Sequence, residues 1–241
     1  MKGKPHLSIV IPVYNEALRI ESGLVQTIAY FAKQKYAWEL IIVDDGSDDK
    51  THLLAKRLLI KSPHQLLRHK FNMGKGQAIR TGVGLAKGKL ILFYDIDLST
   101  PLTEIPKMLS QLKSYPVVIG VRRHRKAQVL AHQPILRESL GHIFTKLTNW
   151  LLIPGIVDAT CGFKGYQQPA AKLLFTRSKI KRWAFDAEIL FLARKFGFPI
   201  AQLPVAWRHD PGTKVHLAHD GWQALVDLVR VRIYDFFGKY N

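Results

Sequence analysis

Acidic side chains are scarce in this chain. Thirty-six Lys and Arg stand against eighteen Asp and Glu, a formal net charge of +18. Such a surplus selects for polyanionic partners: nucleic acid, anionic lipid or phosphorylated substrates. Cysteine is nearly absent. Cys161 stands alone, which excludes an intrachain disulfide and fits a reducing compartment. No stretch of 18 apolar residues occurs, so a membrane-spanning helix is not expected and any membrane contact is peripheral. The N-terminal "MKGKPHLSIVIPVYNE" has an apolar run broken by Pro12 and Asn15, with no small-residue cleavage site after it. It reads as a first core strand rather than a signal peptide. Glycine-rich nucleotide signatures are missing too. No G-x-G-x-x-G follows a strand, and "NMGKGQAIRTG" has His69 and Gly76 where a P-loop needs Gly and Ser or Thr. Helix-turn-helix, zinc-finger and RNP-like patterns are also lacking, which leaves a basic nucleic-acid-binding protein as a remote alternative.

What is present is an alternation of strands and helices. The 241 residues are 47% hydrophobic, enough for a sizeable core. "LSIVIPV", "ELIIVDD", "HQLLRH", residues 89–94 and "PVVIG" read as strands. Helical segments between them span residues 17–33, 50–60 and 74–86, with another after Pro101. Strands that are apolar throughout, alternating with helices, predict an α/β fold with a mostly parallel sheet covered on both faces. Ligands in such sheets bind at the carboxyl ends of the strands. The second half predicts helices over residues 134–152 and 182–197, then the apolar "PIAQLPVAW". In the closing segment Trp222, Leu225, Val226, Val229, Ile233, Phe236 and Phe237 form one apolar stripe. The expected organisation is a catalytic domain over residues 1–218 and a C-terminal amphipathic helix over 219–241. That helix serves either the membrane surface or packing.

Acidic residues gather at strand ends: Glu16 after the first, Asp44 and Asp45 after the second, Asp95 and Asp97 after the fourth. In a parallel sheet these ends lie side by side. In "LILFYDIDLSTP" the alternation of a strand would aim Asp95 and Asp97 into one site and Ile96 into the core. Oxygen pairs of this kind suit Mg²⁺ or Mn²⁺, which complete their shells with water and phosphate. Lys75 can reach a phosphate from a helix N-terminus. "VRRHRK" follows the fifth strand and Arg137 lies in the next helix, which together suggest an anion site. His209, His216 and His219 read as surface or loop histidines rather than a zinc site.

With "SIVIPVYNE", "ELIIVDDGSDDKT", "NMGKGQAIRTG", "YDIDLSTP", "VIGVRR", "DATCGFKGY" and "RWAFDAEIL" in this order, the chain resembles glycosyltransferase family 2. Within it, the blocks are similar to those of the polyprenyl-phosphate hexosyltransferases, closest to the dolichyl-phosphate glucosyltransferase branch. The resemblance implies a GT-A fold and an inverting transfer of a hexose, glucose from UDP-glucose, to dolichyl or undecaprenyl phosphate. It implies that Pro12, Tyr14, Glu16 and Asp44 hold the nucleotide, with Asp45 and Lys75 supporting them. Asp95 and Asp97 match a pair that binds Mg²⁺ or Mn²⁺, and Ser99 falls where some relatives have a third ligand. Arg122 and Arg137 match residues that bind the acceptor phosphate, and Lys214 one that covers the diphosphate. Asp186 lies where sugar-acceptor relatives carry a catalytic base; with a phosphate nucleophile its expected role is orienting or electrostatic. The implied location is the cytoplasmic face of an anionic membrane, peripherally bound, with no nucleic-acid partner. A family 2 enzyme with a non-lipid acceptor is the alternative.

Overall fold

The computed structural model describes residues 4–60, 62–210, 212 and 217–241, without the side chains of residues 135–137 and 217–219. Its centre is a seven-stranded sheet. Strands β1 (Leu7–Val13), β2 (Trp38–Asp44), β3 (His64–Arg68), β4 (Leu90–Tyr94), β5 (Val117–Val121), β7 (Phe163–Gln167) and β8 (Ile200–Pro204) lie in the order β3-β2-β1-β4-β7-β5-β8. Two short strands, β6 (Gln128–Ala131) and β9 (Ala206–Arg208), pair beside it. All the large sheet's pairings are parallel except those of β7, which runs antiparallel to β4 and β5.

Alternation along each strand feeds two separate cores. Ile9, Ile11, Leu40 and Ile42 pack on one face of the sheet with α1 (Ile20–Ala32), α2 (Thr51–Leu59) and α4 (Ile105–Gln111). Val10, Ile41 and Val43 pack on the other with α3 (Lys75–Leu85), α6 (Gln168–Arg177) and α7 (Phe185–Lys195). Both faces are dry, so the strands read as unbroken apolar runs. Each fully buried Val, Leu or Ile contributes roughly 1.5–3 kcal/mol. β7 escapes a reading by hydrophobicity because its sequence, Phe-Lys-Gly-Tyr-Gln, places a fully buried Lys164 in mid-strand. β6 and α6 were not legible either.

Two helices distant in sequence pack against each other at the carboxyl edge: α5 (Ile135–Leu151) and α8 (Leu217–Phe236). The apolar stripe seen in the sequence of α8 is mostly the outward face. Trp222, Phe236 and Phe237 are 71%, 86% and 68% exposed, while Ala224, Leu228 and Val231 face the core. Leu140, Ile143 and Trp150 of α5 are likewise exposed. No helix among the described residues is long and apolar enough to cross a membrane.

The chain end is locked in place. Tyr240 is fully buried, and its hydroxyl donates to Glu188 Oε1 at 2.6 Å. Glu188 also accepts the backbone N–H groups of Lys179 (2.8 Å) and Ile180 (2.9 Å), so one carboxylate ties the C-terminus to the segment entering α7. Removing only the hydroxyl, in Tyr240→Phe, is expected to destabilise the fold by about 1–3 kcal/mol through loss of a donor to a buried carboxylate. Chemical denaturation checks this; an unchanged midpoint would show that the latch carries no weight.

Candidate active site

A cavity of about 1240 Å³ opens at the carboxyl ends of β1, β4 and β5. Pro12, Tyr14, Glu16 and Asp45 line one end. The loop after β1 is stitched to the loop after β2: Asn15 N–H donates to Ser47 Oγ (2.9 Å) and Glu16 N–H to Thr51 Oγ1 (2.7 Å). Glu16 takes a two-pronged ion pair from Arg19, whose Nη1 also donates to Asp210 Oδ1 at 2.6 Å.

The two aspartates of "VDDGS" do different things. Asp44 is fully buried and does not line the cavity. It accepts the N–H of Ser47 (2.9 Å) and faces His52 (3.2 Å) and Arg68 (3.4 Å). Asp45 builds the entry to α3. Its Oδ1 accepts the Met73 N–H (3.0 Å) and meets His69 Nδ1 (2.7 Å), and its Oδ2 accepts the Gly74 N–H (2.7 Å). Gly74 can follow because its φ of 101° is open only to glycine at little cost. The result sets Lys75, the first residue of α3, against the acidic pair: Nζ lies 2.6 Å from Asp95 Oδ1.

Asp95 and Asp97 both line the cavity, but not as alternate residues of a strand. β4 ends at Tyr94, and the pair sits in the turn that follows, closed by the Leu98 N–H on Asp95 O (3.1 Å) and the Ser99 N–H on Asp97 Oδ1 (2.9 Å). Leu98 takes a left-handed φ of 51° there. Ile96 does point into the core, as expected. Burial and the charge of Asp95 together raise the pKa of Asp97. Burial works against the Lys75 ammonium, yet Asp95, Asp186 and Asp97 outweigh it and hold its pKa up.

This pair fits a divalent cation. Among the described residues no cluster of three or more His, Cys, Asp and Glu stands ready for a metal. The two carboxylates would be its acidic ligands, with Ser99 on the same cavity wall and water or phosphate filling the shell. Gly162 leaves the space for this. A Cβ there would stand 2.0 Å from Asp95 Oδ2.

The other end of the cavity is basic, then apolar. Asp158 is fully buried and grips Arg122 in a fork, Nε to Oδ2 at 2.7 Å and Nη2 to Oδ1 at 2.9 Å. Burial disfavours both charges, but each partner outweighs it: Arg122 is pushed up and Asp158 well down. The guanidinium also lies 5.2 Å from the Trp207 ring centroid. Arg123 donates through Nη1 to Gly141 O (2.9 Å) and to Thr145 Oγ1, fastening the segment after β5 to α5. Beyond these arginines Leu140, Ile143 and Phe144 of α5 and Trp222 and Leu225 of α8 form an apolar mouth. Asp186, at the start of α7, lines the cavity together with Trp183. Two expected residues escape comparison: Lys214 lies outside the described residues, as does the side chain of Arg137. The same holds for His216 and the side chain of His219. Sequence reasoning missed Asp158, Gly162, Lys164, Trp183 and Trp207, although the first three share the block "DATCGFK".

Gly162→Ala is expected to displace the Asp95 carboxylate and cut divalent-cation affinity by about tenfold or more, the worth of one lost charged contact. Titration of Mn²⁺ by electron paramagnetic resonance measures it, and wild-type affinity would show that Asp95 needs no such space.

Comparison with known proteins places this geometry. The family model for glycosyl transferase family 2 matches residues 8–175. The chain is 34% identical over 241 residues to dolichyl-phosphate beta-glucosyltransferase ALG5C of Trichomonas vaginalis, covering 95% of this chain and 71% of that one. It is 33% identical over 250 residues to dolichyl-phosphate beta-glucosyltransferase of Homo sapiens, covering 98% and 77%. Among solved structures, mannosyl-3-phosphoglycerate synthase from Rubrobacter xylanophilus superposes with a TM-score of 0.71 at 18% identity, covering 98% of this chain and 75% of that one. Glucosyl-3-phosphoglycerate synthase from Mycobacterium tuberculosis, in complex with Mn²⁺, UDP-glucose and glycerol 3-phosphate, superposes with a TM-score of 0.69 at 19% identity, covering 94% and 80%. These two share the GT-A fold with this chain. The match of the family model, and of relatives that align along nearly all of this chain, settles the family: the chain belongs to glycosyltransferase family 2.

Proposed function

We propose that the protein transfers glucose from UDP-glucose to a polyprenyl phosphate, dolichyl or undecaprenyl, with inversion at the anomeric carbon. The observation that carries this reading is one cavity lined by an acidic pair, by two neighbouring arginines and by apolar side chains of α5 and α8. A nucleotide diphosphate, a phosphate monoester and a lipid chain are the ligands that need those three surfaces together. The names of the relatives, dolichyl-phosphate beta-glucosyltransferases, support it.

Each residue then has a task. Pro12, Tyr14 and Glu16 would receive the nucleoside, with Asp44 and Asp45 shaping the loops around it. Asp95 and Asp97 would hold Mg²⁺ or Mn²⁺, with Ser99 beside them. The cation, when bound, neutralises charge on the departing diphosphate. Lys75 and Lys214 add positive charge to the same group. Arg122, Arg123 and Arg137 would orient the acceptor phosphate. An oxygen of that phosphate forms the new bond to C1 from the face opposite UDP, the bond from C1 to the diphosphate oxygen breaks, and UDP leaves with the electron pair. A phosphate monoester carries about −1.5 to −2 charges at neutral pH. It needs orientation more than deprotonation, and arginine forks orient phosphate in two-pronged fashion.

Residues 1–218 would form the catalytic domain, and the outward aromatic face of α8 would rest on the membrane. The +18 charge favours an anionic surface, worth about 1 kcal/mol for each Lys or Arg near it. The buried free thiol of Cys161 suits the cytoplasmic face.

The test is consumption of nucleotide sugar across a panel of donors, with and without polyprenyl phosphate. UDP-glucose turnover that depends on the lipid phosphate is expected; turnover with 3-phosphoglycerate in its place would sink the reading. Asp97→Asn is expected to abolish turnover while the circular dichroism spectrum stays native. Phe236→Asp with Phe237→Asp is expected to release the protein from anionic vesicles in co-sedimentation and to leave turnover in detergent intact. Retained sedimentation would mean that another surface holds the membrane.

A further inference from the structure

Beneath the cavity lies a lysine with no access to solvent. Lys164 of β7 is fully buried. Its Nζ lies 2.7 Å from Asp186 Oδ1 and donates to the carbonyl oxygen of Cys161 at 2.5 Å. The Phe93 ring centroid is 5.5 Å away. An ammonium has three donors and no acceptor. With two directed into protein oxygens and an aromatic ring beside them, Lys164 cannot reach a ligand. Whatever it does for the reaction passes through Asp186.

Asp186 stands between the buried pair and the cavity. It is 6% exposed and lines the cavity wall. Lys164 faces its Oδ1. Oδ1 is buried and has no partner other than Lys164 among the described residues. A carboxylate so nearly removed from water has room to accept from more donors than the single ion pair supplies. The nearby cations are already committed: Lys164 as above, and Lys75 to Asp95 at 2.6 Å. Trp183 also lines the cavity, with its ring centroid 5.7 Å from Lys75 Nζ. Lys75 therefore joins the acidic pair on one side to Trp183 on the other. If the diphosphate sits over the acidic pair, the next unit of the donor is the hexose, whose hydroxyls are hydrogen-bond donors and whose C–H face suits a flat aromatic ring.

We propose that Asp186 is the hydrogen-bond acceptor for the hydroxyls of the donor hexose, and that Lys164 is the positioning residue that fixes its carboxylate. This rests on the reading of the donor as a nucleotide-diphosphate hexose. It assigns Asp186 to sugar binding rather than to proton removal, which an ionised phosphate nucleophile does not require.

The experiment is calorimetric titration of the full chain with UDP and, separately, UDP-glucose, both with Mn²⁺ and without acceptor. Wild type is compared with Asp186→Asn, Lys164→Met and the double variant Lys164→Met with Asp186→Leu. The double variant replaces the whole buried pair by apolar groups of similar size and so keeps the fold even where a single change leaves a lone buried charge. UDP affinity is expected to stay within about twofold of wild type, while UDP-glucose affinity falls about tenfold, the worth of one hydrogen bond to a charged group. The double variant is expected to lose no more than Asp186→Asn, because Lys164 acts only through Asp186. Unchanged UDP-glucose affinity, or equal loss for UDP and UDP-glucose in the folded double variant, overturns the proposal. Kinetics add a second readout: KM for UDP-glucose rises in Lys164→Met while KM for polyprenyl phosphate does not. If wild type binds UDP-glucose with this pattern yet uses no lipid phosphate, the acceptor assignment fails and the hexose site stands.

Discussion

Two carboxylates one residue apart repel, and the carboxyl edge of the sheet is organised around that repulsion. Asp95 is neutralised from one side by Lys75, and Asp97 is steadied by the backbone N–H of Ser99. The cost still shows in the raised pKa of Asp97, which burial and Asp95 impose. Every neighbour has a part in keeping the pair where it is. Asp45 shapes the loop that delivers Lys75, Gly74 supplies a backbone angle the loop needs, and Gly162 withholds a side chain that would strike Asp95. The proposed divalent cation would lie between these two anions and relieve their repulsion.

The remaining charges of the cavity are held by the same device, an ion pair buried on one side and open on the other. Asp158 grips one edge of Arg122 and leaves the other toward the cavity. Lys164 grips one oxygen of Asp186. In each case the inner partner is fully buried and the outer one lines the site. Pairing of this kind gives little net stability once desolvation is counted, but it fixes direction. In the proposed transfer between two phosphorylated ligands direction is what counts, since the nucleophile would arrive already charged with only its line of attack left to set.

Much of this was legible in the sequence because hydrophobic alternation and strand-end acids are local signals. β1, β2, β4 and β5 stand where unbroken apolar runs placed them, and Pro12, Tyr14, Glu16, Asp45, Lys75, Asp95, Asp97 and Arg122 meet in one cavity. Asp95 and Asp97 share the cavity because a turn brings them there, since β4 stops at Tyr94. Asp44 shows a limit of another kind: adjacent to Asp45 in sequence, it faces away from the cavity and into the protein. β7 was invisible because a buried lysine in a strand looks polar until its partner, 22 positions along the chain on α7, is known. The stripe on α8 was read correctly as apolar, but periodicity alone does not say which way an apolar face turns. Here most of it turns outward, because Ala224, Leu228 and Val231 already fill the inner side.

The claim on which the rest depends is that the acidic pair binds a divalent cation together with the donor diphosphate. Crystals grown with Mn²⁺ and UDP, measured at a wavelength where manganese scatters anomalously, test it most directly. An anomalous peak within bonding distance of Asp95, Asp97 and a diphosphate oxygen is the expected result. A diphosphate bound in the cavity with no peak there, or a peak held by other residues, would contradict it.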